Sequence, residues 1–174
     1  MSVFSSLPLE VQSVIGEFRT CEFTTISKGG KPVTWPVSAL YLPDQGRFLL
    51  TTSIGFPQKA FNIRRNPRVS LLFSNPTASG LTNPPAVLIQ GDATASDEIV
   101  ASINQVDGLR EFWRDKIYRR QPAATQASDS ALMRKMMDWY HMRIVIHVTP
   151  RAVYWWPAGN FAQPAHRIEA AHVE

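Results

Sequence analysis

Between residues 21 and 53 the chain alternates β-rich runs with turns too short to cross the face of a sheet. Residues 21–27 are rich in β-branched and aromatic side chains, residues 32–42 form a second such run, and residues 47–53 a third. Lys28-Gly29-Gly30-Lys31 and Pro43-Asp44-Gln45-Gly46 join them. Glycine takes the positive φ that a hairpin turn needs, whereas parallel strands need a crossover of about a dozen residues or more. The expectation is a three-stranded antiparallel meander, and the pattern argues against a parallel nucleotide-binding fold. Pro36 has no N–H to give a ladder, so it predicts an edge position or a bulge within the second run.

The rest of the chain extends this reading. Ser6, Pro8 and Glu10 mark a helix start, and Leu7, Val11, Val14, Ile15 and Phe18 share one helical face, so an N-terminal helix is expected within residues 1–20. Residues 68–73 and 86–95 read as further strands, the latter with Gly91 as a bulge. From Asp97, the spacing of Ile99, Ile103, Val106, Leu109 or Arg110, Trp113 and Ile117 predicts a helix, with two acids in its first turn. Residues 121–128 read as a loop. Asp129 caps another predicted helix, whose Leu132, Met133, Met136, Met137 and Tyr140 form a stripe suited to core or dimer contact. Residues 142–148 and 152–156 read as strands separated at Pro150, and residues 157–174 as an irregular tail.

Bulk properties narrow the function classes. The 174 residues fit one domain with a substantial core. The single cysteine, Cys21, forms no internal disulfide, and no Cys/His set has zinc spacing, which suits a reducing cytoplasm and gives no metal site. The sequence shows neither a signal peptide nor an apolar run long enough for a membrane span. The net charge of +4 is spread out, with local pairs at Arg64-Arg65 and Arg119-Arg120. It suits a small anionic ligand, and no nucleic-acid motif is present.

Residues 49–72, LLTTSIGFPQKAFNIRRNPRVSLL, carry the chemistry. An apolar run ends in Thr51, Thr52 and Ser53. A turn follows, then a short helical pattern beginning near Lys59, which Asn66-Pro67 stops. Strand-end hydroxyls, helix N–H groups and a lysine can together hold a phosphate. The other reading is a solvated lysine beside hydroxyls that satisfy the turn.

The same segment resembles the flavin-binding split-barrel family typified by pyridoxamine 5'-phosphate oxidase. That family places Thr/Ser residues at a strand end, then a lysine, then N-x-R-R-N-P-R-V. Here these are Thr51-Thr52-Ser53, Lys59 and residues 62–69. The resemblance extends more loosely over residues 18–156. It implies a split β-barrel of six or seven mostly antiparallel strands with outer helices, a homodimer, and FMN as cofactor. By the same resemblance Thr51, Thr52, Ser53, Gln58 and Lys59 lie at the flavin phosphate. Trp35, Pro36 and Val37 run along the flavin ring, and Trp155 approaches the flavin of a neighbouring subunit. The alternatives are a half-buried strand aromatic for Trp35 and core or dimer packing for Trp155.

The sequence also departs from the true oxidases. Gln58 stands where they carry arginine, Ala86 where their Q-V-R-I-E-G strand carries its flavin-contacting glutamine, and the R-L-H-D-R substrate motif is answered only by His166-Arg167. These losses argue against pyridoxal phosphate synthesis. The resemblance thus implies an FMN-dependent oxidoreductase acting on a small organic molecule, with no protein acid or base evident. Two alternatives accompany it: an F420-dependent reductase of the same fold, and a non-catalytic protein that binds flavin or haem. His141, His147, His166 and His172 are not grouped at ligand spacing, and His147, within a strand, reads as structural.

Overall fold

A computed structural model describes residues 3–118 and 142–169. The Arg119-Arg120 pair, the loop at 121–128, the helix capped by Asp129 with its apolar stripe, His141 and His172 lie outside the described residues.

β1 (Cys21–Ile26) and β2 (Pro32–Val37) form the expected hairpin, with Ile26 opposite Pro32 and Gly30 at φ 75° in the turn. The second expected strand divides. β3 (Leu40–Leu42) pairs with β4 (Arg47–Ser53) and not with β2. Two hairpins at opposite edges of the sheet therefore replace the expected meander. The break falls at Ser38-Ala39, where Ser38 Oγ donates to Arg19 O at 3.2 Å and Ala39 is buried. Tertiary contacts override the local β pattern there.

The hairpins are joined through β5 (Arg68–Phe73), β6 (Ala86–Val100) and β7 (Arg143–Trp156) in the order β2-β1-β5-β6-β7-β4-β3, every pair antiparallel. Pro36 sits on an edge strand, as a residue without an N–H must. Phe48 of β4 and Phe73 of β5 have ring centroids 6.3 Å apart, although two strands separate theirs in the sheet. In a flat sheet three strand spacings would set them about 14 Å apart. The sheet therefore curls round its core, yet β2 and β3 do not pair, which leaves the barrel split. α1 (Leu9–Glu17) buries Val11, Val14 and Ile15 in the same core, against side chains that include Phe23, Leu71 and Ile146.

Three further expectations are corrected. The helix predicted from Asp97 starts only at Leu109. β6 continues to Val100, with Ile99 opposite Ile144 after a register shift, and Asp97 ion-pairs with Arg64 at 3.2 Å. Ser96 Oγ bonds both N–H and C=O of Glu98, which turns the strand locally without ending it. α3 (Leu109–Glu111) follows Gly108 at φ 80° and continues in π geometry over Phe112–Tyr118. A Cβ on Gly108 would lie 2.6 Å from the end of the Leu42 side chain, which can shift, so it is the positive φ that favours glycine there. Pro150 does not break β7. It faces Gly91 at the expected bulge, where a missing N–H is tolerated. Finally, the tail predicted to be irregular contains β8 (His166–Glu169), paired with β7 from Trp155 to Ala152.

α3 and its π extension pack outside the barrel. Leu109, Phe112, Trp113 and Ile117 meet Leu49 and Val145, which point outward from β4 and β7. No helix among the described residues is long and apolar enough to cross a membrane.

Candidate functional site

β4 ends at the corner where β2, the loop after Ser53 and the π-helical segment meet, and a cleft of about 600 Å³ opens there. This size suits a small-molecule site. Its floor is the strand end. Thr51 and Ser53 are half-buried and share the outward face of β4 with Leu49, while Thr52 faces inward and is 2 % exposed. Thr52 Oγ1 donates to Phe56 O at 2.9 Å, so its proton is used within the turn. Gly55 N–H donates to Ser53 Oγ at 3.2 Å, which leaves that hydroxyl's own proton available to a ligand.

The turn delivers the chain into α2 (Gln58–Arg65). Pro57 occupies the N-cap and no side chain caps the helix. The first-turn N–H groups have no intrahelical acceptor and carry partial positive charge at the cleft. Asn62, fully buried, holds this turn in place. Its Nδ2 donates to the buried Thr25 Oγ1 at 2.9 Å, and its Oδ1 accepts from Gln58 Nε2 at 2.9 Å and Arg65 Nη2 at 2.6 Å. Arg65 is therefore turned toward α2 and Arg64 toward Asp97, so the adjacent arginines belong to the helix's own fixation.

Lys59 Nζ lies 5.0 Å from the centroid of the Trp35 ring. Burial, and then the nearby positive charge of Arg143, lower its pKa below the ordinary 10.5. An anion bound beside both cations would offset their repulsion and favour the charged form of Lys59. Of the described residues lining the cleft, none is Asp, Glu, His, Cys or Tyr. Among the described residues the donor set of the cleft is thus cationic and hydroxylic, with no carboxylate, imidazole, thiol or phenol.

The walls are apolar and aromatic: Trp35, Pro36 and Val37 from β2, and Phe112, Trp113 and Ile117 from the π-helical segment. Eight of the residues singled out in the sequence thus meet in one cleft: Trp35, Pro36, Val37, Thr51, Thr52, Ser53, Gln58 and Lys59. Trp155 is elsewhere. It is 8 % exposed in the main core and stacks on His166 with ring centroids 5.2 Å apart. His147 also lies outside the cleft, half-buried on β7, where burial and then Arg47 lower its pKa.

Sequence reasoning missed Arg143, Phe112, Trp113 and the rim residue Phe56. Arg143 stands directly opposite Ser53 in the β4–β7 ladder, its guanidinium 5.3 Å from the centroid of the Trp113 ring. The usable signal was its place at the start of a strand that could pair with β4. Pairing across ninety residues of chain is not written in local pattern.

The family profile described as pyridoxamine 5'-phosphate oxidase matches residues 7–157. No curated protein sequence matches the chain. Among solved structures, general stress protein 26 from Bacillus anthracis is similar at 15 % identity, with a TM-score of 0.55 over 92 % of this chain and 97 % of that one. A pyridoxamine 5'-phosphate oxidase-related, FMN-binding protein from Nostoc punctiforme gives 15 % identity and a TM-score of 0.50, covering 88 % of each chain. A heme-binding protein from Mycobacterium smegmatis gives 16 % identity and a TM-score of 0.55, over 94 % of this chain and 59 % of that one. At these identities the structures establish a shared fold. With the profile spanning nearly all of the curled sheet and its strand–turn–helix corner, the chain belongs to the pyridoxamine 5'-phosphate oxidase family, as an oxidase-like member and not a true oxidase.

Proposed function

We propose that the cleft binds FMN and that the protein is an FMN-dependent oxidoreductase acting on a small organic substrate. One observation carries this reading. Lys59, Arg143, Thr51, Ser53 and the uncapped start of α2 converge on one cleft whose remaining walls are aromatic and apolar. The cationic part fits a phosphate dianion and the walls fit a planar ring. The FMN-binding relative from Nostoc punctiforme supports the same assignment.

The residues fit the cofactor in defined roles. Lys59, the first-turn N–H groups of α2, Thr51 and Ser53 would hold the phosphate. Trp35, Val37, Phe112 and Trp113 would bound the ring and exclude water. Bound flavin supplies the redox chemistry. The described lining residues include no carboxylate, imidazole, thiol or phenol, and the part assigned to them is to bind, orient and desolvate.

Phe56, 76 % exposed at the rim, and Phe61, exposed on α2, are apolar groups that a second copy of the chain would cover. A homodimer with the cleft beside its interface is part of this proposal, and sedimentation equilibrium reads it.

The test is titration of the ligand-free protein with FMN and with F420, followed by fluorescence, with Lys59→Ala as control. FMN binding that the substitution weakens supports the assignment, and reduction of the bound flavin by a nicotinamide supports the enzyme. Binding of F420 alone moves the protein to deazaflavin chemistry, since the phosphate anchor serves both ligands. Binding of neither overturns the flavin reading and brings haem forward, which the relative from Mycobacterium smegmatis is described as binding.

A further inference from the structure

Lys116 is a cation with almost no access to solvent, 3 % exposed, on the π-helical segment that walls the cleft. It points away from the cleft. Its Nζ donates to the carbonyls of Gly16 at 2.8 Å and of Ile15 and Phe18 at 3.4 Å. These carbonyls belong to the last turn of α1 and the residue that ends it. The final carbonyls of a helix have no intrahelical donor and carry partial negative charge, so a buried ammonium is held well there. One residue further on, Arg19 O accepts the hydroxyl of Ser38 at 3.2 Å. Ser38 lines the cleft beside Val37.

The backbone of residues 15–19 is therefore tied to both walls. Lys116 attaches it to the segment carrying Phe112, Trp113 and Ile117, and Ser38 to the strand carrying Trp35, Pro36 and Val37. Neither link touches the residues around Lys59. We infer that residues 15–19 form a brace that sets the width of the aromatic slot, with Lys116 as its positioning residue.

The inference rests on the reading of the slot as a flavin-ring site, and a distinct consequence separates the two. The brace acts on the ring and not on the phosphate. Lys116→Met, which keeps the length and loses the charge, should weaken riboflavin and FMN by the same factor, about tenfold. Lys116→Arg, which keeps a cation at the carbonyls, should recover most of that loss. Ser38→Ala should weaken both ligands in the same equal way, and the double variant should lose less than the sum of the two, because both act through one brace. Amide hydrogen exchange on the ligand-free proteins provides a readout that needs no flavin. Lys116→Met should speed exchange in residues 112–118 and 35–38 together and spare residues 58–65. If wild-type protein binds no flavin but exchange responds in this pattern, the brace stands and the flavin reading falls. Exchange that rises uniformly, or a loss confined to FMN, would overturn the brace. If Lys116→Met does not fold, Lys116→Gln and Ser38→Ala carry the same comparison.

Discussion

Arg143 and Lys59 approach the cleft from different elements, and the positive charge of Arg143 adds to burial in lowering the Lys59 pKa. Two cations held toward one cavity are an unfavourable arrangement that an anionic ligand turns into a favourable one. Arg143→Met should therefore act in two ways. FMN affinity should fall about tenfold through loss of one charge-assisted interaction. The Lys59 pKa should rise toward its ordinary value, visible by NMR of the lysine side chain. A variant that lowers affinity and leaves Lys59 unmoved would contradict the coupling.

The same shift gives a dependence of stability on pH. Lys59 titrates lower when folded than when unfolded, so between the two pKa values the unfolded chain binds more protons. The cost of burying the charge is fully present below the folded pKa and is relieved as pH rises from there toward 10.5. Relative to Lys59→Met, the ligand-free protein should gain stability over that alkaline window, while FMN affinity should decline across it. Urea denaturation of both proteins at stepped pH reads the difference, and parallel curves would contradict it.

Much of this site was legible because its centre is local. Thr51 to Lys59 is one strand end, one turn and one helix start, each announced by its own residues, and β5 follows Asn66-Pro67 at the expected Arg68. The walls were less legible. Helical spacing from Ile99 to Ile117 was real but spanned two structures: Ile99 and Val100 pair in β6, and only the residues from Leu109 coil. Strand pairing with Ile144 and Arg143 outweighed a periodicity that local sequence could not distinguish from a helix. β8 escaped notice because only Ile168 among its four residues packs inward. Trp155 lies outside the cleft of its own chain, in the core-packing position that was the alternative reading. The alternation of β7 turns it into the core of its own chain.

Asn62 ties the start of α2 to Thr25 of β1. Asn62→Leu would leave the buried Thr25 hydroxyl without its donor and Gln58 and Arg65 without their acceptor. It should destabilise the fold by about 2–3 kcal/mol, as an unsatisfied buried polar group does. Chemical denaturation measures this, and a change below about 0.5 kcal/mol, the range of ordinary surface substitutions, would show that the network is dispensable.

Gly91 tests the bulge. A Cβ there would lie 2.3 Å from the Thr149 carbonyl oxygen, which is backbone and cannot swing aside. Gly91→Ala should cost about 1–3 kcal/mol, as overpacking does, despite the gain in chain stiffness. A variant as stable as wild type would mean that β6 and β7 can re-register at Pro150.

In the proposed site Lys59 anchors a phosphate at the start of α2 while a separate aromatic slot takes the ring. Parallel fluorescence titrations of wild type and Lys59→Ala with FMN and riboflavin test it most directly. The substitution should weaken FMN by about ten- to a hundredfold, the range for a hydrogen bond to a charged group, and leave riboflavin unchanged. Equal weakening of both ligands, or FMN binding untouched by the substitution, would contradict it.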